Sequence, residues 1–314
     1  MSIAFTFPGQ GSQAVGMGKV LADAYPEAKA VFEEVDEALG QKLSDVMWNG
    51  PEADLTLTAN AQPALMTVSL ATMRVLESKG LDLAGSVSFV AGHSLGEYSA
   101  LAAAGAFDVA TAARLLRVRG DAMQNAVPVG QGAMAALLGL DFEAAQEVAR
   151  EAAQGEVCQA ANDNAPGQVV VSGHVAAVER AIDIAKAKGA RRALLLPVSA
   201  PFHCSLMAPA ADAMAEALAG ADIKAPKVPL IANVLAQPVS DTDEIRKRLV
   251  EQVTGTVRWR ESIEWLASEG VDTFVEVGTG KVLTGMVKRI AKETTGIAVN
   301  SPEDIDALIE KLNG

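Results

Sequence analysis

Aromatic residues are scarce in this 314-residue chain, with Phe, Trp and Tyr together making up 4% of it. So few rings leave few platforms on which bases could stack, which argues against a single-stranded nucleic-acid binder. Positive charge is in deficit as well. Lys and Arg number 26 against 39 Asp and Glu, for a formal net charge of −13, so the surface lacks the basic excess that displaces counterions from nucleic acid or an anionic membrane. Cysteine is nearly absent: Cys158 and Cys204 cannot make a disulfide framework or a four-thiolate metal site, and a reducing, cytoplasmic setting is expected. No apolar run approaches the ~20 residues of a membrane span, and the opening MSIAFTFPGQGSQ has neither the basic leader nor the apolar core of a signal peptide. Histidine occurs only at His93, His174 and His203, so imidazole chemistry has three candidates.

What is present in quantity is apolar character. The chain is 50% hydrophobic and 21% charged, which is the balance of a folded protein, and its length suits one large α/β domain or two modest ones. Ile3 to Phe7 reads as a buried strand ended by Pro8-Gly9. Helical patterns cover Pro26 to Leu39 and Asn60 to Lys79, the latter with Pro63 in its first turn. Val87 to Ala91 is a second buried strand that runs into Gly92-His93-Ser94-Leu95-Gly96 and the Ala-rich helix Glu97 to Ala104. Asp108 then caps a helix reaching about Ala126.

Between residues 128 and 199 the rhythm changes to βαββαβ, with strands near 133–138, 157–161, 168–172 and 193–197 and helices near 142–153 and 175–188. That order is the split-βαβ signature of a ferredoxin-like unit. Alternating α/β character resumes after Pro201. The expected organisation is therefore a large α/β domain, residues 1–127 and 200–314, with a small ferredoxin-like domain, residues 128–199, inserted through joints at Pro128-Gly130 and Pro197-Pro201.

Gly92 to Gly96 is a G-x-S-x-G between a predicted strand and a predicted helix, the context of a nucleophile elbow. An oxyanion on an acyl group held by Ser94 would meet the backbone N–H of Leu95 at the start of the helix. Serine needs a base. His93 adjoins Ser94 and points to the opposite face of its strand, while His174 opens a small-domain helix, where a surface or capping role suits it. His203, in Ser199-Ala-Pro-Phe-His-Cys-Ser at the joint between domains, is left as the base; Cys204 beside it cannot face it as a nucleophile would. The run Pro8 to Ala14 also fits the looser dinucleotide fingerprint G-x-G-x-x-A. It lacks the second strand ending in an acidic residue that this reading requires. It remains a loop able to aim an amide at an anion, a partner for Leu95.

These residues resemble a known family, the malonyl-CoA:acyl carrier protein transacylases and the related acyltransferase domains of fatty-acid and polyketide synthases. The resemblance rests on FPGQGSQ at 7–13, GHSLGE at 92–97, Arg119-Gly120, NDNAPGQVVVSG at 162–173, APFH at 200–203 and VGTGKVL at 277–283. It implies an α/β-hydrolase-like large domain with a ferredoxin-like small one. It also implies Ser94 as the acylated nucleophile, His203 as its base, and the amides of Gln10 and Leu95 as the oxyanion hole. Arg119 would hold the free malonyl carboxylate, Asn162 would be a polar residue near the site, and the backbone carbonyl of Gln252 would orient the histidine where a hydrolase uses a carboxylate.

A guanidinium fork can grip a planar carboxylate with two hydrogen bonds, which suits Arg119 to that role. Read from the sequence alone, it is equally one more surface arginine on the helix of Arg114 and Arg117. Phe202 beside the base and Leu95 after the serine resemble the malonyl-type pattern, which leaves little room for an α-methyl group. The expected partners are malonyl-CoA and acyl carrier protein, with no resident cofactor or metal, no nucleic acid and no membrane. An acidic enzyme would dock a typically acidic carrier through a local basic patch, either Lys186, Lys188, Arg191 and Arg192 or Lys281, Lys288 and Arg289. The rival readings are a serine esterase or thioesterase, which needs an acid such as Asp121 or Asp163 between serine and histidine, a malonyl acyltransferase of a polyketide pathway, and a non-catalytic docking module.

Overall fold

Strands whose every residue is buried belong in a parallel sheet covered on both faces, and Ile3–Phe7 and Thr273–Val277 are buried throughout. The computed structural model describes residues 2–313. In chain order its strands are β1 (Ile3–Phe7), β2 (Phe89–Gly92), β3 (Gly132–Leu138), β4 (Cys158–Ala165), β5 (Gln168–His174), β6 (Arg192–Leu195), β7 (Leu230–Ala232), β8 (Gln237–Val239), β9 (Thr273–Val277) and β10 (Thr295–Val299). They form a six-stranded sheet of order β10-β9-β1-β2-β7-β8 and a four-stranded sheet of order β4-β5-β3-β6. The first is parallel except for the β7–β8 hairpin, and the second is antiparallel throughout.

The two-residue period of a strand sorts the large sheet's side chains between two apolar layers. Phe5 and Phe7 of β1 and Val275 and Val277 of β9 pack into the layer that includes helix Thr58–Ser78, while Ala4 and Phe274 face Trp259, Ile263 and Leu266 on the other side. The small sheet keeps its own core against helices Phe142–Ala153 and Val175–Ala187. Its Met134, Ala161 and Val170 join the large core instead. The two sheets thus share a seam, and the site opens along it. No described helix is long and apolar enough to cross a membrane.

The observed elements depart from the expected ones in ways that have local causes. The long helix begins at Thr58, so Pro63 lies in its second turn rather than its first. β10 was not expected, because it is an edge strand with a half-exposed TGIAV sequence and no apolar run. Short helices at Lys19–Ala24, Leu43–Asn49, Glu52–Thr56 and Leu83–Ser86 are too brief to show a helical period. β4 runs on to Ala165 through two register shifts, and such bulges break the alternation by which a strand is read.

Candidate active site

Ser94 sits in the turn between β2 and helix Gly96–Ala103 with φ +53°, a left-handed backbone that non-glycine residues adopt at a cost. The glycines on either side are there for space. A Cβ on Gly92 would lie 1.9 Å from the carbonyl carbon of Gly96, and one on Gly96 would lie 2.2 Å from the Phe7 oxygen. Asn233, just after β7, braces the turn: its Oδ1 accepts from the Ser94 amide at 2.8 Å and its Nδ2 donates to the Gly92 carbonyl at 2.7 Å. The serine hydroxyl is thereby raised into a cavity of about 570 Å³ between the two sheets.

His203 meets it there. Its Nε2 is 2.7 Å from Ser94 Oγ, and its Nδ1 is 2.9 Å from the Gln252 carbonyl. A carbonyl only accepts, so Nδ1 carries the proton and Nε2 presents a lone pair to the serine. Gln252 lies in the last turn of helix Thr242–Thr254, where carbonyls lack intrahelical partners and the helix end is partially negative. Burial, with the Arg119 cation adding to it, pulls the His203 pKa down to about 3, so the ring is neutral. Its own backbone is also left-handed, with φ +57°.

Arg119 is not a surface residue. It is 1% exposed on helix Val109–Asn125. One terminal nitrogen donates to Gln62 Oε1 at 2.7 Å, and the other donates to Gln252 Oε1 at 2.7 Å and to Ser94 Oγ at 3.1 Å. Among the described residues no carboxylate forms an ion pair with it and its Nε has no hydrogen-bond partner. Burial lowers its pKa, with Tyr98 and Glu97 opposing the shift, but an arginine keeps its proton. The result is a buried cation without a counter-ion, 3.1 Å from the serine oxygen.

Gln10 and Leu95 both line the cavity. Among the described residues neither backbone N–H is engaged in a hydrogen bond. Asn162, at a register shift of β4, and Phe202, beside His203, line the same space and are both buried. All eight residues expected from the sequence therefore converge on one place. His174 stands at the N-cap of its helix, but its side chain makes no capping bond; its Nδ1 instead accepts from the Val157 amide, just before β4, at 2.9 Å. His93 donates through Nε2 to Asn164 Oδ1 at 2.8 Å, away from the serine hydroxyl. Cys204 Sγ donates to the Pro201 carbonyl at 3.2 Å. Asp163 is tied to Arg260 at 2.8 Å, and Asp121 is exposed, so neither acid of the esterase reading meets the imidazole.

Residues 4–303 match the family model described as "Acyl transferase domain". The malonyl CoA-acyl carrier protein transacylase of Bacillus subtilis (strain 168) is 49% identical over 311 residues, 99% of this chain and 97% of that one. Its namesake in Escherichia coli (strain K12) is 48% identical, covering 98% of each chain. The chain belongs to the malonyl-CoA:acyl carrier protein transacylase family. Two solved structures agree with that placement. The acyl-carrier-protein-S-malonyltransferase of Bartonella henselae superposes with a TM-score of 0.98 at 57% identity over 100% of both chains. A malonyl-transacylase solved in complex with a type II PKS acyl-carrier protein gives 0.96 at 44% identity, over 99% of this chain and 100% of that one.

Against this transacylase background, the sequence left several contributors without a role. Glu97, the last residue of GHSLGE, is buried and accepts from the Gln252 side-chain amide and from the Asn233 backbone at 3.3 Å. Burial raises its pKa to about 8, against the opposing pull of Gln252, Asn233 and Arg119. Asn233, Gln62, Thr58 and Asn164 stand in no motif that marks them, and only the folded contacts expose them. The transacylase's two basic clusters are partly spoken for: Lys186 pairs with Asp183, Lys188 with Glu147 and Glu151, and Arg289 bonds Gln168 and the Pro166 carbonyl.

Gly120 explains the second half of the Arg119-Gly120 pair. A Cβ there would lie 2.6 Å from the Ala59 Cα and 2.7 Å from the Thr58 oxygen, so glycine lets the arginine's helix close onto helix Thr58–Ser78. Gly120→Ala is expected to cost about 1–3 kcal/mol by overpacking, measured as a lower midpoint in denaturant. An unchanged midpoint would show that the two helices part freely.

Proposed function

We propose that this protein transfers a malonyl group from malonyl-CoA to the phosphopantetheine thiol of acyl carrier protein, in ping-pong fashion through a malonyl ester of Ser94, and so supplies fatty-acid synthesis. The observation that carries this reading is Arg119, a buried cation within hydrogen-bond distance of the serine oxygen that has no anionic partner among the described residues. A malonyl thioester brings the missing anion, a planar carboxylate matched to the guanidinium fork.

His203 Nε2 takes the Ser94 proton as Oγ attacks the thioester carbonyl. The oxyanion is held by the amides of Gln10 and Leu95. As the tetrahedral intermediate collapses, the C–S bond breaks and the imidazolium returns its proton to the thiolate of coenzyme A. The carrier thiol then gives its proton to His203, attacks the malonyl ester, and leaves Ser94 protonated again. Nδ1–H on the Gln252 carbonyl holds the ring in the tautomer that both halves need. Asn162 would contribute a polar contact and Phe202 would crowd an α-methyl group. No resident cofactor enters this scheme, since both thiols arrive with the substrates. The large sheet with its two apolar layers supports an α/β-hydrolase-like description of residues 1–127 and 200–314. The order β4-β5-β3-β6, with both helices on one face, supports a ferredoxin-like description of residues 128–199.

The test is a labelling experiment. Protein mixed with malonyl-CoA should gain one malonyl mass on the Ser94 peptide, and holo carrier protein should discharge it to the carrier much faster than water does. No adduct, or discharge to water alone, would overturn the reading.

A further inference from the structure

The Arg119 guanidinium and the Gln10 loop sit at opposite ends of a hydrogen-bond chain that the reaction scheme leaves unused. Arg119 donates to Gln62 Oε1 at 2.7 Å, Gln62 Nε2 donates to Thr58 Oγ1 at 3.0 Å, and Thr58 Oγ1 donates to Gln10 Oε1 at 2.9 Å. Thr58 and Gln62 are 0% and 1% exposed, so the first two bonds are shielded from water, and the third reaches the half-buried Gln10 at the cavity wall. Every donor in the chain points the same way, from the cation toward the loop.

We propose that Thr58 and Gln62 are positioning residues, forming a polarised relay that couples the carboxylate clamp at Arg119 to the oxyanion loop at Gln10. The inference rests on the roles given to Arg119 and Gln10 in the proposed function. Hydrogen bonds aligned in series polarise one another, more so when a charge heads the chain and the surroundings are dry. The acceptor end fixes the side chain of Gln10, a residue whose next neighbour, Gly11, turns through φ +101°. The loop is otherwise held by the Gly11 amide's bond to Gln13 Oε1 at 2.7 Å and by the close approach of Gly9 to His93, neither of which engages the Gln10 side chain. Pinning the side chain holds the backbone N–H where the oxyanion forms, and a donor preorganised in this way acts in the transition state more than in the bound ground state. The relay also gives the two ends of a malonyl group a common frame: the helix Thr58–Ser78 that carries Thr58 and Gln62 binds the clamp at one point and the loop at another.

The test is single-turnover acylation by malonyl-CoA, followed by rapid quench and intact mass. Thr58→Val should lower the acylation rate constant about fivefold to tenfold, the usual weight of one lost hydrogen bond, with the affinity for malonyl-CoA unchanged. Thr58→Ser, which keeps the hydroxyl, should restore the rate. On an Arg119→Ala background the same valine substitution should cost measurably less than in the native protein, because the chain has lost its head. Gln10→Met removes the acceptor from a loop rather than from the core, so it keeps the test open should Thr58→Val fail to fold. It should show the same loss and the same non-additivity. Native-like rates in Gln10→Met, or an equal penalty with and without Arg119, would overturn the relay. Failure of the native protein to take any malonyl label would instead overturn the functional reading, and it is seen before any variant is measured.

Discussion

His203→Ala is expected to slow acylation of Ser94 by about 10²–10⁴-fold while leaving the affinity for malonyl-CoA near its native value. The serine hydroxyl is 2.7 Å from Nε2, and among the described residues no other base is placed to take its proton: His93 faces Asn164 and Glu97 faces Gln252 and Asn233. The loss should not be total, because in the proposed scheme the amides of Gln10 and Leu95 would still meet the oxyanion. Stopped-flow measurement of coenzyme A release would check this, and a fall below about tenfold would remove His203 from the role of base.

The pH profile carries a second signature. A base acts while unprotonated, so lowering its pKa from 6.5 to about 3 extends activity toward acid. The acylation kcat/KM should stay level as the pH falls from 7 through 6.5 to about 5, where an ordinary histidine would already have been lost. A midpoint near 6.5 would sink the claim. The stability effect has the opposite sign. Below pH 6.5 the unfolded chain's histidine takes up a proton that the folded one refuses, so His203 subtracts from stability as the pH drops between 6.5 and about 3. His203→Ala should remove that part of the acid sensitivity.

The site was legible in the sequence wherever chemistry imposes local spacing. Gly92 and Gly96 must flank Ser94, since any Cβ there strikes backbone, and so the elbow appears as a five-residue motif. His203 emerged because two competing histidines could be set aside. The sheet's buried strands read well, because short, mostly apolar runs such as IAFTF, bounded by turn signals, fit a covered sheet. What stayed hidden depends on contacts between distant segments. The role of Arg119 is decided by burial: the same side chain on the same helix could have faced water, as Arg114 and Arg117 suggested. Asn233 braces the turn from 139 positions away, and Gln62 and Thr58 serve through a helix whose sequence shows only apolar periodicity. The Gln252 carbonyl is a backbone group, invisible to residue type, and only the family resemblance pointed to it. Edge elements such as β10 were missed for the converse reason, since they bury too little to need a pattern.

Arg119→Ala should separate donors by charge. With malonyl-CoA we expect kcat/KM to fall about 10- to 100-fold, the worth of a charge-assisted hydrogen bond at ~1.5–3 kcal/mol. With acetyl-CoA the fall should be clearly smaller, because no carboxylate is there to hold. It should not vanish, since the guanidinium also donates to Ser94 Oγ and Gln252 Oε1 and these lose a partner with either donor. Arg119→Lys keeps the charge without the fork and should recover only part of the malonyl rate. Arg119→Ala also removes the cation that helps hold the His203 pKa down. The base in Arg119→Ala should therefore titrate at higher pH than in the native protein, shifting the acid limb for malonyl and acetyl donors alike. The two effects come from one side chain but differ in kind: a donor-dependent loss reports the clamp, and a donor-independent shift reports the field at the base. Equal losses for malonyl and acetyl at every pH would mean that the buried charge serves the serine-histidine pair alone and that the carboxylate is held elsewhere.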